Sequence, residues 1–149
     1  MALINGLEKA FIHGRLQRFK HNIIIDCAHN IGAMEELVGE LQRMKENNEF
    51  KKLHIVFGAM HDKDISGMLE LLEPIADTFI LTRPRGEKGE MIDRAETPEK
   101  IAKMLSSDLK PILIDLPMQA IKKAQSIAKQ DDLIVVCGSC FLAGDILRG

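Results

Sequence analysis

Five short apolar runs, rich in β-branched residues, recur along the 149-residue chain and constrain its fold more than any other feature. Each has the length and composition of a strand buried on both faces. Patterns of helical period separate the runs, as where apolar residues spaced i, i+3, i+4, i+7 and i+10 lead from Met34 to Met44. The sequence therefore predicts a doubly wound α/β fold, a Rossmann-like and mainly parallel sheet with helices on both faces. The predicted strands are residues 22–26, 53–57, 78–81, 111–114 and 133–136.

Start signals define the other predicted helices. Asp64 precedes a helix over residues 65–75, and Thr97 caps a helix over 99–105 with Pro98 at its first position. A helix over residues 118–129 follows Pro117, and a last helix begins at about residue 141. We expect one domain over residues 1–149, because a chain of this length fills a single core.

Charge and composition exclude several classes of protein. The formal net charge is only −2 and Trp and Tyr are absent, so neither a basic field nor aromatic stacking indicates a nucleic-acid partner. No apolar run is long enough to span a bilayer, and residues 1–20 lack a signal-peptide core, so no membrane partner is expected. Three cysteines favour reduced thiols and a cytoplasmic location.

Polar residues follow every predicted strand at the end where ligands of such sheets bind. The segments are DCAHN at residues 26–30, FGAMHDKD at 57–64, LTRPRGEKGE at 81–90, IDLP at 114–117 and CGSC at 137–140. We expect a site along this edge, with the Gly-rich residues 86–96 forming a mobile loop. A phosphate-binding loop is absent, because no Gly is followed by Lys.

The CGSC segment allows several interpretations. Cys137 and Cys140 are spaced like a dithiol redox site, but only nine residues follow, too few for the remaining strands of a thioredoxin core. A zinc site would need Cys27 and His29 as well, and hence adjacent first and last strands. Packing of both cysteines explains the segment more simply. Gly138-Ser139 at a helix start then suits either a plain cap or contact with an anionic ligand.

The other polar residues also allow more than one interpretation. Asp26 could cap the next helix, or accept the hydroxyls of a ribose beside His29 and Asn30 at a helix N-terminus. Lys63 could lie in a solvated turn or point its ammonium at the predicted edge. Arg15 by itself suggests only a surface charge.

Several motifs in order resemble the C-terminal domain of folylpolyglutamate synthase and dihydrofolate synthase, members of the Mur-type ligases. The most specific pair is IIDCAHN at residues 24–30 followed by VFGAMHDKD at 56–64. The resemblance covers essentially the whole chain. Its further elements are INGL at residues 4–7, HGRLQ at 13–17, Thr82, Arg94-Ala95 and GSCFLAGD at 138–145.

This resemblance implies an ATP-dependent ligation of glutamate to a folate or pteroate carboxyl through an acyl phosphate. An N-terminal ATPase domain would hold most of the ATP and the Mg²⁺, and no metal ligand is assigned to this chain. By the resemblance, His29 and Lys63 are catalytic, and Lys63 and Ser139 contact the amino-acid substrate. Arg15, Asp26 and Asn30 contact the nucleotide.

The chain departs from the family pattern at three places. Cys27 stands where glycine is usual, Ile31 replaces a common proline, and Ile12-His13 replaces a frequent Trp-Pro. The family's ATPase domain is not in the sequence, which suggests that Met1 is an artificial start and that the chain alone is inactive. A stand-alone, non-catalytic nucleotide-binding module is the alternative. The choice between dihydropteroate and folate polyglutamate substrates stays open.

Overall fold

The computed structural model describes residues 16–106 and 108–149, in which six strands form one sheet. Their order is β1-β2-β6-β3-β4-β5. All neighbouring strands are parallel except the edge pair β1 and β2, which is antiparallel. The strands are β1 Gln17–Lys20, β2 Ile23–Ile25, β3 Leu53–Phe57, β4 Thr78–Leu81, β5 Ile112–Leu113 and β6 Leu133–Cys137.

Helices cover both faces of this sheet, as predicted. Helices α1 and α2 pack with one side of the strands in a cluster that includes Met34, Met68 and Phe57. Helices α4 and α5 pack on the other side, in a cluster that includes Ile121 and Leu142. The helices are α1 Ile31–Glu46, α2 Ile65–Leu72, α3 Pro98–Ala102, α4 Pro117–Ile127 and α5 Cys140–Arg148. None of them has the length and apolar composition needed to cross a membrane.

Several element boundaries differ from the predicted ones. Helix α2 ends at Leu72 and not at residue 75, since Pro74 disfavours helical backbone before it. Helix α5 begins at Cys140, because Ser139 rather than a later residue is its cap. Strand β1 was not predicted: its residues alternate between half-buried and exposed, and so lack the apolar signal of the buried strands.

Two glycines let the loops after β3 and β6 approach each other closely. Gly138 has φ +110°, and a Cβ atom there would overlap the carbonyl oxygen of Gly58 and lie 2.9 Å from the Phe57 ring. A Cβ atom on Gly58 would in turn lie 2.7 Å from the carbonyl oxygen of Thr82. Glycine is required at Gly138 both by its backbone conformation and by the space available.

A buried hydrogen-bonded pair holds the opposite, amino-terminal edge of the sheet. The Nε2 atom of His54 on β3 lies 2.9 Å from a carboxylate oxygen of Asp132, and both side chains are about 95% buried. The backbone N–H of Lys129 also donates to Asp132, at 3.0 Å. Burial by itself would raise the pKa of Asp132, but the hydrogen bonds from His54 and Lys129 outweigh it and lower the pKa.

We expect Asp132→Ala to lower the free energy of unfolding by about 3 kcal/mol, since it leaves His54 and the Lys129 N–H without their acceptor. The measurement is urea unfolding at neutral pH. The neighbouring Asp131→Ala is the control: its exposed ion pair with Lys51, at 3.7 Å, should contribute less than about 0.5 kcal/mol.

The effect of Asp132→Ala should also depend on pH. Because the folded pKa lies below the ordinary 3.8, the stabilisation is complete above that pH and is lost as the pH falls through the lowered value. Equal stability of Asp132→Ala and Asp131→Ala at neutral pH would contradict the assigned role of the buried pair.

We expect Gly138→Ala to lower the free energy of unfolding by at least about 2 kcal/mol, because the methyl group forces the two loops apart and strains the backbone. Gly39→Ala, on helix α1 with open space around it, is the matched control. That substitution should raise stability by about 0.5 to 1 kcal/mol. A Gly138→Ala protein as stable as Gly39→Ala would show that the loops are free to separate.

Candidate functional site

The loops that follow β2, β6 and β3 lie side by side at the carboxyl edge of the sheet. The backbone N–H of Gly138 donates to the carbonyl of Ala28 at 2.9 Å, which joins the loop after β6 to the loop after β2. The N–H of Gly58 lies 3.4 Å from the carbonyl of Cys137, which joins the loop after β3 to the end of β6. Segments more than a hundred residues apart in sequence therefore form one surface.

Asp26, at the end of β2, is buried with 3% of its surface exposed. One carboxylate oxygen accepts a hydrogen bond from the N–H of Ala28 at 2.7 Å, and the other accepts from the N–H of Leu16 at 2.9 Å. Asp26 therefore organises its own loop and holds Leu16, the residue before β1. It does not cap the following helix, which was one of the two interpretations from sequence.

His29 is half-buried beside Asp26, and its ring is oriented by the backbone. Its Nδ1 lies 2.9 Å from the carbonyl oxygen of Cys27. A carbonyl oxygen can only accept, so a neutral His29 carries its proton on Nδ1 and presents a lone pair on Nε2. This arrangement suits a group that takes up a proton at Nε2.

Three side chains near the site are helix caps. The Oδ1 atom of Asn30 accepts from Ala33 N–H at 2.8 Å at the start of α1. Asp64 caps α2 as predicted, and buried Ser139 caps α5 through a bond of 3.1 Å from the N–H of Phe141. The N-termini of α1 and α5 thus open beside each other at this edge, where backbone N–H groups and the helix dipoles favour an anion.

Lys63 lies in the loop between β3 and α2 and is partly exposed. Its backbone N–H is held by the carbonyl of Met60 at 3.2 Å. Its neighbour Asp62 forms an ion pair with Arg94 at 3.1 Å, so the Asp62 carboxylate already interacts with a cation other than Lys63. Arg15, the remaining predicted site residue, lies outside the described residues.

The cysteines are not arranged as the CGSC spacing suggested. Cys137 is fully buried on the α1 and α2 side of the sheet. Cys27 and Cys140 lie on the opposite side, and the Cys140 thiol is 3.7 Å from the Cys27 carbonyl oxygen. Cys137 and Cys140 therefore do not face each other as a dithiol would. The packing interpretation holds for fully buried Cys137, whereas Cys140 is partly exposed.

Strands β2 and β6 are adjacent, as a zinc site at Cys27, His29, Cys137 and Cys140 would require. Cys137, however, faces away from the others. In residues 16–106 and 108–149, no group of three or more His, Cys, Asp or Glu side chains is placed to hold a metal ion.

A second cluster of charges, not singled out from sequence, lies beyond β4. Arg85 pairs with Asp115 after β5, and its backbone N–H donates to Asp145 on α5 at 2.8 Å. Burial raises the pKa of Asp145 to about 6, although the N–H of Arg85 and the guanidinium of Arg148 act in the other direction. The only sequence signal for this cluster was the pair of arginines in LTRPRG. Their position after a strand does not by itself distinguish them from surface charges.

Together, these loops provide a histidine lone pair, a lysine ammonium and two helix N-termini at one edge of the sheet. Such groups can bind anionic substrates and accept a proton from an incoming nucleophile. The sequence has no Gly-Lys dipeptide, so none of these loops is a P-loop.

Comparison with known proteins finds relatives among the dihydrofolate and folylpolyglutamate synthases. The dihydrofolate synthase/folylpolyglutamate synthase of Escherichia coli is 31% identical over 149 residues, which is 99% of this chain and 32% of that protein. The structure of Escherichia coli FolC in complex with ADP superposes with a TM-score of 0.76 and 31% identity, over 91% of this chain and 30% of that one. A bifunctional folylpolyglutamate synthase/dihydrofolate synthase with Mn, AMPPNP and L-glutamate bound has a TM-score of 0.75, 26% identity and the same coverage.

The chain thus spans about a third of the length of the curated relatives it matches. The family model described as "Mur ligase, glutamate ligase domain" matches residues 14–140. Since that match covers most of the sequence and agrees with the fold, the chain belongs to the Mur ligase family as its glutamate ligase domain.

Proposed function

We propose that this chain is the C-terminal part of an ATP-dependent ligase that adds glutamate to the carboxyl group of a folate or dihydropteroate. The reaction proceeds through an acyl phosphate in the cytoplasm. The observation that carries the proposal is the grouping of His29, Lys63 and Ser139 on loops that the backbone joins at one edge of the sheet. The relatives named above, with ADP, AMPPNP and L-glutamate in their structures, supply the reaction class.

ATP and Mg²⁺ bind mainly to an N-terminal ATPase domain, the principal partner in this proposal. Arg15, Asp26 and Asn30 are the nucleotide contacts on this side. The exposed N-terminus of α1 at Asn30 offers N–H groups to an anion, and buried Asp26 keeps that loop in place.

His29 is the proton acceptor in the ligation step. The nitrogen of glutamate attacks the carbonyl carbon of the acyl phosphate, the C–N bond forms, and the bond to the phosphate oxygen breaks. The nitrogen must lose a proton as it becomes an amide. Since Nδ1 of His29 is bonded to the Cys27 carbonyl, Nε2 is the ring nitrogen that would receive this proton. Phosphate leaves with the electron pair of the broken C–O bond.

Lys63 and Ser139 hold the glutamate. An ammonium on a flexible stem provides a point charge for one carboxylate, and the Ser139 hydroxyl and the N–H groups at the start of α5 suit the other. Closure of the two domains would then exclude water, which otherwise hydrolyses an acyl phosphate.

The main test measures ATP-dependent incorporation of labelled glutamate into dihydropteroate and into a reduced folate. The natural protein that carries this chain is compared with the 149-residue chain alone. We expect turnover by the natural protein with at least one acceptor, and none by the chain alone. Turnover by the chain alone, or an ATP-dependent reaction only with other amino acids, would overturn the proposal. Tight nucleotide binding without any ligation would favour the non-catalytic module.

Lys63→Ala should lower kcat/KM for glutamate roughly 10- to 100-fold, the value of one charge-assisted contact of about 1.5–3 kcal/mol. Most of the loss should appear in KM for glutamate. Lys88→Ala, an exposed lysine in the loop after β4, is the matched control and should behave like the parent protein. A loss shared equally by the two variants would remove Lys63 from the substrate site.

His29→Gln should lower kcat roughly 100-fold or more with little change in KM, because it removes the proton acceptor and leaves binding intact. The control is His21→Gln, in the exposed turn between β1 and β2 at the other end of the sheet. Retention of kcat by His29→Gln would assign the histidine a structural role only.

A further inference from the structure

Cys27 and Cys140 form a thiol pair between the loops after β2 and β6, although 113 positions separate them in sequence. The Cys140 thiol donates to the carbonyl oxygen of Cys27 at 3.7 Å, and both side chains pack on the α4 and α5 side of the sheet. Strand pairing in register from Ile23–Ile134 to Ile25–Val136 brings their loops together. The proximity of Cys27 and Cys140 thus follows from the pairing of β2 with β6.

The two thiols differ in exposure and in acidity. Cys140 is partly exposed, and its hydrogen bond with Cys27, aided by nearby His29, lowers its pKa to about 6 despite partial burial. Cys27 is buried, and the hydrogen bond with Cys140, burial and the charges of Cys140 and Asp26 all raise its pKa. Cys140 is therefore the accessible nucleophile and Cys27 the protected partner.

Cys137 is excluded from this pair by the fold. It ends β6 with its side chain in the core on the α1 and α2 side, whereas Cys27 and Cys140 pack on the α4 and α5 side. Burial also raises its pKa well above the ordinary range of a thiol. Cys137 and Cys140, the two cysteines of the CxxC segment, are therefore not the pair that reacts.

We propose that Cys27 and Cys140 are a redox modification site, which a hydroperoxide converts into a reversible disulfide between the two loops. The Cys140 thiolate attacks one oxygen of the peroxide, the O–O bond breaks, and Cys140 becomes a sulfenic acid. The other oxygen leaves as water or an alcohol after taking up a proton. Cys27 then attacks the sulfenic sulfur, the S–S bond forms, and the S–O bond breaks.

That second step releases the hydroxide, which takes the Cys27 proton and leaves as water. Two thiols and one hydroperoxide thus give one disulfide, one water and one further water or alcohol. A dithiol reductant reverses the change by thiol–disulfide exchange. Such transient bridges are the kind found in a reducing compartment.

The test treats the reduced protein with a small excess of hydrogen peroxide, blocks remaining thiols with an alkylating reagent, and maps the peptides by mass spectrometry. We expect a loss of two hydrogen atoms and one intramolecular link between the peptides of Cys27 and Cys140, with Cys137 still a thiol. Dithiothreitol should restore the original mass. A bridge that includes Cys137, a bridge only between molecules, or no bridge when Cys140 oxidises would each overturn the proposal.

Variants separate the two steps. Cys137→Ala is the matched control and should form the same bridge as the parent. Cys27→Ala cannot form it and should accumulate a sulfenic acid at Cys140 that a 1,3-diketone reagent traps. Cys140→Ser should leave Cys27 reduced. Circular dichroism and the urea midpoint establish that each variant is folded; labelling of Cys27 in folded Cys140→Ser would contradict the assigned order.

Discussion

Strand β6 pairs with β2 on one side and with β3 on the other, and the candidate site depends on these two ladders. They place β6, the next-to-last element of the chain, between its second and third strands. Each strand then delivers its loop to the same edge, where the backbone bond from Gly138 to Ala28 joins two of them. Long-range backbone pairing, and no single side chain, therefore determines which polar groups can act together.

Many polar side chains at this edge are already used to build it. Asp26 binds two backbone N–H groups, while Asn30 and Ser139 satisfy the first turns of α1 and α5. Such residues contribute chemistry chiefly by placing backbone donors and the His29 ring. In the proposed function, His29 and Lys63 are the groups whose own proton and charge act on the substrate. Structural and chemical roles are thus divided among neighbouring residues in the same motifs.

Much of this fold could be predicted from sequence, because buried parallel strands are continuous apolar runs and Asp64 and Thr97 mark helix starts by their caps. Strand β1 could not, since an edge strand with alternating exposure resembles a turn region. Strand order depends on contacts distant in sequence, so the CGSC spacing could not show that Cys140 lies beside Cys27. The motifs identified the edge of the sheet, but only the ladder of β2 with β6 shows which of its groups touch.

The glycine contact described above also limits how the loops of this edge can move against one another. With no side chain between Gly138 and Gly58, the loops after β6 and β3 meet backbone to backbone. The hydrogen bond from Gly138 to Ala28 attaches the loop that carries His29. We therefore expect the backbone around His29 and Ser139 to move as one rigid body. In the proposed ligase, any motion that closes the site would then originate outside these loops.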